Sequence, residues 1–134
     1  MAAKQNLPNH GVFDEQRYFT PGYGTLVIPY RGKRLALLIC EDLWTAGPAR
    51  DADGQGADII IALNASPFET TKHDTRMNVI TQRSRETNLP IVYVNMVGGQ
   101  DELVFDGRSF VLAPNGQPQA VLAAFAEETA VVGV

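Results

Sequence analysis

The chain of 134 residues is 45% hydrophobic, 19% charged and 8% aromatic, which is the composition of an ordinary globular domain. Eleven basic residues against fifteen acidic ones give a net charge of -4 without any basic stripe, so a nucleic-acid partner is not expected. One cysteine and two histidines exclude an internal disulfide and a four-ligand structural zinc site, and no apolar run approaches the ~20 residues of a membrane span. We therefore expect a cytoplasmic protein with no metal and no membrane contact.

The first predicted unit is a β-hairpin formed by residues 25–30 and 33–40. The turn between its strands contains Gly32, which suits the positive φ of a tight hairpin. Pro29 cannot donate a ladder hydrogen bond, so the first strand is expected at a sheet edge or on a bulge. The second strand is apolar on both faces from Leu35 to Ile39, the pattern of a central strand covered on both sides.

Helices and strands alternate in the middle of the chain. A short helix is predicted over 48–53 and a longer one over 70–88, which Asn88 and Pro90 end. Buried strands are predicted over 58–64 and 90–96. This alternation predicts a sheet covered by helices on at least one side.

The last part of the chain is predicted to be all strand. The turn signals Asp106-Gly107 and Pro114-Asn-Gly116 separate short apolar runs. The predicted strands cover residues 103–105, 109–113, 119–123 and 129–132. Hairpins combined with strand-helix-strand units give a mixed sheet, so the predicted fold class is a layered α/β protein.

Cys40 is the candidate nucleophile. It ends an apolar strand and is followed at once by Glu41 and Asp42, so its thiol lies where the chain turns sharply, as in a nucleophile elbow. A neighbouring carboxylate or lysine could activate the thiol, and the next backbone N–H could help to form an oxyanion hole. A free cysteine is also often a small buried hydrophobe, and position alone leaves both interpretations open.

Four segments carry a resemblance to a known family. Residues 38–44 (LICEDLW) resemble the nucleophile segment of the carbon–nitrogen hydrolase (nitrilase) superfamily, in particular of the glutaminase domains of glutamine-dependent NAD+ synthetases. Residues 4–19 resemble that family's lysine segment, 64–68 its substrate-pocket strand end, and 97–110 the segment after its last core strand. The resemblance implies part of a nitrilase-like αββα sandwich with a mixed β-sheet.

The resemblance also implies a Glu-Lys-Cys triad that hydrolyses the side-chain amide of glutamine through a glutamyl thioester. Cys40 matches the nucleophile, and Lys4 matches the lysine that stabilises the tetrahedral oxyanion. Glu15 and Glu41 are expected to support these two residues. Without the surrounding motif, Lys4 would be interpreted as a solvated terminal residue.

Three further positions match residues that bind glutamine in the family. His10 stands where the synthetases commonly carry a tyrosine, and its imidazole could keep one hydrogen bond. The Ser66 hydroxyl and the Lys72 ammonium would suit the α-amino and α-carboxylate ends of glutamine. The alternatives are an ordinary loop histidine, a turn serine before Pro67 and a solvated lysine.

We expect residues 1–134 to be the C-terminal part of a glutaminase domain. The family's general-base glutamate lies upstream of the lysine segment, and the ATP-dependent synthetase domain, which uses ATP and Mg²⁺, lies downstream. No cofactor is expected in this chain. Because a lost proton-transfer group costs about 10²-fold to 10⁴-fold, these residues are expected to be nearly inactive alone.

The expected partners are glutamine, the remaining parts of the same enzyme and further copies in a homo-oligomer. The whole enzyme would amidate deamido-NAD+ with ammonia from glutamine. Apolar surface facing absent strands should make the isolated piece self-associate. Two alternatives stay open, a stand-alone carbon–nitrogen hydrolase acting on a small amide and a non-catalytic scaffold module with Cys40 in its core.

Overall fold

The computed structural model describes all 134 residues. Its central element is a six-stranded mixed sheet in the order β1-β2-β3-β4-β7-β8, beside a separate two-stranded ribbon of β5 and β6. Along the chain the elements are β1 (Leu26–Tyr30), β2 (Lys33–Ile39), α1 (Ala46–Gly54), β3 (Ile59–Asn64), α2 (Lys72–Thr87), β4 (Ile91–Asn95), β5 (Val97–Gln100), β6 (Leu103–Asp106), β7 (Phe110–Leu112) and β8 (Pro118–Val121). The predicted α/β class with a mixed sheet is confirmed.

The predicted hairpin is present as β1 and β2, which pair antiparallel with Tyr30 opposite Lys33. Arg31 and Gly32 both have positive φ, 47° and 79°, the backbone that a two-residue turn needs to match strand twist. β1 is an outer strand of the sheet, as Pro29 predicts.

Strands β2, β3 and β4 are parallel, and each connection between them carries a helix. Both helices, α1 and α2, pack against each other over one face of the sheet. Neither helix combines the length and the apolarity that a membrane-spanning helix requires. The core between helices and sheet contains Ala36, Leu38, Leu43, Ala49, Ala52, Ala57, Ile60, Ala62, Ile80, Leu89, Ile91, Tyr93, Phe110 and Leu112.

The opposite face of the sheet is open over β2 and β3. On β3, Ile60 and Ala62 are fully buried, while Leu63 on the other face is 57% exposed. Burial on β2 alternates in the same way, and Leu35 and Ile39 are only half-buried. The expectation that this strand is covered on both faces is therefore wrong for the described residues, because both helices lie on one side.

Two predictions for the last third of the chain are also wrong. The first concerns the turn signal Asp106-Gly107. Residues 97–100 form a strand, β5, which pairs with β6; the sequence did not indicate this strand, because its two glycines disfavour strand structure. Asp106-Gly107 therefore does not join two paired strands; the chain passes there from the ribbon to the main sheet. Residues 129–132 form no strand, and Thr129 and Val132 line a cavity with side chains of β4 and β7 instead.

Candidate active site

Cys40 lies directly after β2 and begins a 3-10 helix, Cys40–Leu43. Its φ is +46°, a left-handed conformation that costs free energy for a residue with a Cβ. The sharp turn expected from the sequence is therefore present. It leaves the thiol half-buried at the end of a parallel strand.

Lys4 and Glu15 form a close ion pair beside this turn. The Lys4 Nζ lies 2.6 Å from both Glu15 carboxylate oxygens, and the two side chains are 15% and 22% exposed. The backbone N–H of Glu15 donates to the Pro8 carbonyl, which folds the loop so that the carboxylate reaches back to the lysine.

Cys40, Lys4 and Glu15 line one cleft of about 650 Å³. Its other walls are mostly apolar and come from the loop before β1 and from the ends of β2 and β3. They are Ala3, Leu7, Phe13, Phe19, Thr20, Ile39, Leu63, Asn64 and Ala65. The cleft therefore offers a nucleophile, a cation and a carboxylate on an apolar background, the usual composition of a small-molecule site.

Burial raises the pKa of the Cys40 thiol above its ordinary value. The Lys4 ammonium opposes this shift, whereas the carboxylates of Glu41 and Glu15 add to it, and a hydrogen bond with the Ala65 backbone lowers the pKa slightly. The resting thiol thus keeps its proton at neutral pH. A nucleophilic role requires a base that removes this proton during the reaction.

The predicted glutamine-binding residues lie outside the cleft that Cys40 lines. His10 and Lys72 line an adjoining cavity of about 250 Å³, and Phe13 belongs to both cavities. The Lys72 Nζ lies 3.3 Å from a Glu69 carboxylate oxygen.

His10 projects toward solvent, with a side chain that is 71% exposed. Its Nε2 lies 3.7 Å from Glu41 Oε1. Glu41 lines neither of these two cavities, but its carboxylate raises the pKa of the Cys40 thiol and also approaches the imidazole.

Ser66 lies behind the site rather than in it. The residue is 4% exposed, its Oγ accepts a hydrogen bond of 3.2 Å from Arg76 Nε, and its backbone N–H donates to Asn95. Ser66 lines neither the cleft of Cys40 nor the cavity of Lys72.

Sequence reasoning missed the buried ion pair that holds this strand end. Arg76 and Asp106 are each 1% exposed and lie 2.9 Å apart, and Arg76 also donates to the carbonyls of Ser66 and Pro67. A signal was available, because Arg76 lies four residues before Ile80 on the buried face of α2. A cation at such a position requires a buried partner.

Asp42 was also missed, although it neighbours the predicted nucleophile. It is 1% exposed and accepts three backbone hydrogen bonds, from Gln5, Asn6 and Ile39. An acidic residue in the nucleophile turn, the turn of residues 39–43 that carries Cys40, is expected to face solvent or to take part in catalysis. The structure shows instead that it joins two segments.

A thiol at a strand-end turn beside a lysine-carboxylate pair, on a mixed sheet covered by helices, defines the nitrilase-like class of α/β proteins. The chain belongs to the carbon–nitrogen hydrolase family, whose pattern matches residues 2–134.

Three known proteins illustrate the likeness. The glutamine-dependent NAD(+) synthetase of Acinetobacter baylyi is 42% identical over 125 residues, which are 93% of this chain and 23% of that protein. The structure of the glutamine-dependent NAD+ synthetase of Acinetobacter baumannii with ADP superposes with a TM-score of 0.88 at 43% identity, covering 93% of this chain and 24% of that one.

The third is a variant of the amidase from Nesterenkonia sp. AN1 with an acetamide group covalently added at its active-site cysteine. Its TM-score is 0.78 at 30% identity, covering 90% of this chain and 44% of that one. This chain spans about a quarter of the synthetases and less than half of the amidase.

Proposed function

We propose that this chain is part of the glutaminase domain of a glutamine-dependent NAD+ synthetase. The observation that carries the proposal is the single cleft in which Cys40 lies with the paired Lys4 and Glu15. The likeness to synthetases from two Acinetobacter species supports this assignment, and the covalent cysteine adduct of the related amidase supports cysteine as the nucleophile of the fold. The whole protein would transfer the released ammonia to deamido-NAD+.

The proposed reaction begins when the Cys40 Sγ attacks the side-chain amide carbon of glutamine and its proton passes to a base. The Lys4 ammonium, with the backbone N–H of Glu41, stabilises the oxyanion of the tetrahedral intermediate. The C–N bond then breaks, the leaving nitrogen takes a proton and departs as ammonia, and water hydrolyses the glutamyl thioester to glutamate and the free thiol.

Glu15 is proposed to orient the lysine rather than to move the proton. Both of its oxygens contact Lys4 Nζ, which fixes the ammonium and neutralises the carboxylate charge in the cleft. The base would be the glutamate that the family carries upstream of the lysine segment. Glu41 is proposed as a second supporting carboxylate, since it lies close enough to Cys40 to raise the thiol's pKa.

The adjoining cavity is proposed to hold the other end of glutamine. Phe13 borders both cavities, so an amide at Cys40 and an α-carboxylate at the Lys72 ammonium could belong to one molecule. His10 would add a hydrogen bond from the exposed side. Ser66 lines neither cavity, so we propose that it acts on the glutamine end only through the strand end that it holds together with Arg76.

The remaining assignments follow from the same proposal. This chain would need no cofactor, and ATP and Mg²⁺ would serve the synthetase domain of the same enzyme. We propose a cytoplasmic homo-oligomer without nucleic-acid or membrane partners, which the acidic composition and the single cysteine support.

Labelling of Cys40 tests the proposal directly, since the chain has no other cysteine. A glutamine-mimicking electrophile should modify one site, detected by mass spectrometry, and glutamine should protect that site while asparagine should not. Cys40→Ser should abolish labelling. Lys4→Met should slow it, because the cation no longer stabilises the forming oxyanion.

Two outcomes would contradict this assignment. Inertness of the folded protein toward the probe even at alkaline pH, where the thiol loses its proton without a base, would favour the scaffold interpretation. Protection by small aliphatic amides in preference to glutamine would favour a stand-alone carbon–nitrogen hydrolase, the candidate that the likeness to an amidase supports. Ammonia release from glutamine by residues 1–134 at the rate of a complete glutaminase would overturn the proposed location of the general base.

A further inference from the structure

We propose that Asp42 is a positioning residue that fixes the lysine segment against the nucleophile turn and so sets the place of Lys4 beside Cys40. This inference rests on the proposed function, because it assigns Lys4 and Cys40 to one reaction centre. Asp42 itself touches neither the Lys4 ammonium nor the thiol in its hydrogen bonds.

The two oxygens of the Asp42 carboxylate bind different parts of the chain. Oδ1 accepts the backbone N–H groups of Gln5 at 2.9 Å and Asn6 at 2.8 Å, the two residues that follow Lys4. Oδ2 accepts the backbone N–H of Ile39 at 3.1 Å, the residue that precedes Cys40. One planar group thus joins the residues next to the lysine and next to the nucleophile, across 37 positions of sequence for Gln5.

The burial of Asp42 makes this link stiff. The residue is 1% exposed, and a buried carboxylate is stable only when N–H donors satisfy it, so the three hydrogen bonds have no competing solvent. The hydrogen bond from Asn6 Nδ2 to Thr45 Oγ1 also links these segments, but it is solvent-exposed, and the contact of His10 with Glu41 is long, at 3.7 Å, and largely exposed at the histidine. The ion pair of Lys4 with Glu15 lies within the N-terminal segment itself and cannot hold that segment against the turn.

Asp42 also continues the turn that carries the thiol. Cys40 and Asp42 belong to the same short 3-10 helix, and the bond to the Ile39 N–H closes that helix back on the end of β2. The positive φ of Cys40 needs surrounding structure to maintain it. The carboxylate therefore fixes the nucleophile turn and the lysine segment together.

The test is the titration of the thiol, read from thiolate absorbance and from the pH dependence of iodoacetamide alkylation. Asp42→Asn keeps the shape but replaces one acceptor oxygen by an amide donor. Removing a negative charge near a thiol by itself lowers its pKa. Displacement of Lys4 raises it, so the sign of the change separates a local charge effect from positioning.

We expect Asp42→Asn to raise the apparent pKa of Cys40 and to slow alkylation at pH 8 several-fold, because Lys4 affects the thiol more strongly than its partner Glu15, which would be displaced with it. In a Lys4→Met background the same substitution should no longer raise the pKa, since no cation remains to be displaced. Thr45→Val is the matched control; it removes the exposed link and should leave the titration unchanged.

A lower or unchanged thiol pKa in folded Asp42→Asn would overturn the proposal, and so would an equal rise in the Lys4→Met background. Should the variant not fold, nuclear magnetic resonance of the unaltered protein decides. The amide hydrogens of Gln5, Asn6 and Ile39 should then exchange with solvent at similarly slow rates, and fast exchange at Gln5 and Asn6 beside a slow Ile39 would overturn the proposal. Neither experiment uses glutamine, so a failure of the proposed glutaminase activity would be seen separately.

Discussion

Replacing Arg76 by methionine should destabilise the protein severely, although the substitution lies outside the cleft. Arg76 and Asp106 form an ion pair 2.9 Å long between α2 and β6, and both are 1% exposed. The guanidinium also binds the Ser66 hydroxyl and the carbonyls of Ser66 and Pro67. Arg76→Met fills a similar volume but leaves the Asp106 carboxylate buried without its cation.

The magnitude follows from that burial. Removing one member of a buried ion pair costs about 3–5 kcal/mol, because the remaining charge has lost both water and partner. The whole free energy of unfolding of a domain is about 5–15 kcal/mol, so this single change removes a large share of it. Three carbonyl or hydroxyl acceptors near Ser66 also lose their donor, which should loosen the strand end behind the site.

Urea unfolding at pH 7 measures the loss. Arg85→Met on the same helix is the matched control, since Arg85 is exposed and binds only the Asn115 carbonyl; its cost should stay below about 1 kcal/mol. The double variant Arg76→Met/Asp106→Asn removes both charges and should lose less than the two single losses together.

A pH comparison gives a second measure of the same pair. In Arg76→Met the lone carboxyl can bind a proton, so the deficit should be smaller at pH 4 than at pH 7. A cost of less than about 1 kcal/mol for Arg76→Met, or a deficit independent of pH, would refute the reasoning that the pair is desolvated and mutually dependent.

Three further predictions follow from other features. The Thr25 backbone N–H donates to Asp51 Oδ2 at 2.6 Å and lowers the pKa of the Asp51 carboxyl below 3.8. This hydrogen bond therefore contributes fully to stability above pH 3.8, and the contribution is lost as the pH falls through the lowered pKa of the folded protein. Asp51→Asn should therefore melt below the unaltered protein at pH 7, and the two melting temperatures should converge in acid; a constant gap would contradict this. Gly107→Ala should destabilise the protein by more than about 1 kcal/mol in urea unfolding, since φ is +64° and a Cβ would collide with Val97. The control Gly54→Ala in α1, where a Cβ would meet open space, should be neutral or slightly stabilising in the same assay. Val94→Lys places a charge on the sheet face away from the helices, where Val94 is 42% exposed. Sedimentation should then show less self-association than for the unaltered chain; equal association would mean that another surface causes the self-association.

Elements whose signal is local were predictable from the sequence. The hairpin of β1 and β2 was predictable from a turn with Gly32 between two strand-forming runs, and Pro29 places its first strand at the edge. The strand-to-turn position of Cys40 is equally local, since an apolar run stops at the polar pair Glu41-Asp42. Its positive φ follows from that abrupt change of direction.

Features that depend on distant partners were not predictable in the same way. The Asp106-Gly107 pair has the composition of a hairpin turn, but Asp106 pairs with Arg76, thirty residues away, and the chain changes sheet there. Ser66, a serine before a proline, is typical of a turn residue, yet its hydroxyl oxygen is buried and accepts a hydrogen bond from the same arginine. Only the three-dimensional fold shows which charges meet and which hydroxyl stays accessible.

The charge balance of the cleft determines what its chemistry can be. Lys4 is already neutralised by Glu15, so its ammonium is not free to hold a permanent thiolate, and burial keeps Cys40 protonated. A thiol of this kind resists oxidation and stray alkylation, because the thiolate is the reactive form. In the proposed reaction the thiol becomes a nucleophile only when a base removes its proton with substrate in place, and the lysine would then meet a negative charge that exists only on the attacked oxygen. A site arranged in this way favours the transition state over the resting enzyme, which is what hydrolysis of an unreactive amide demands.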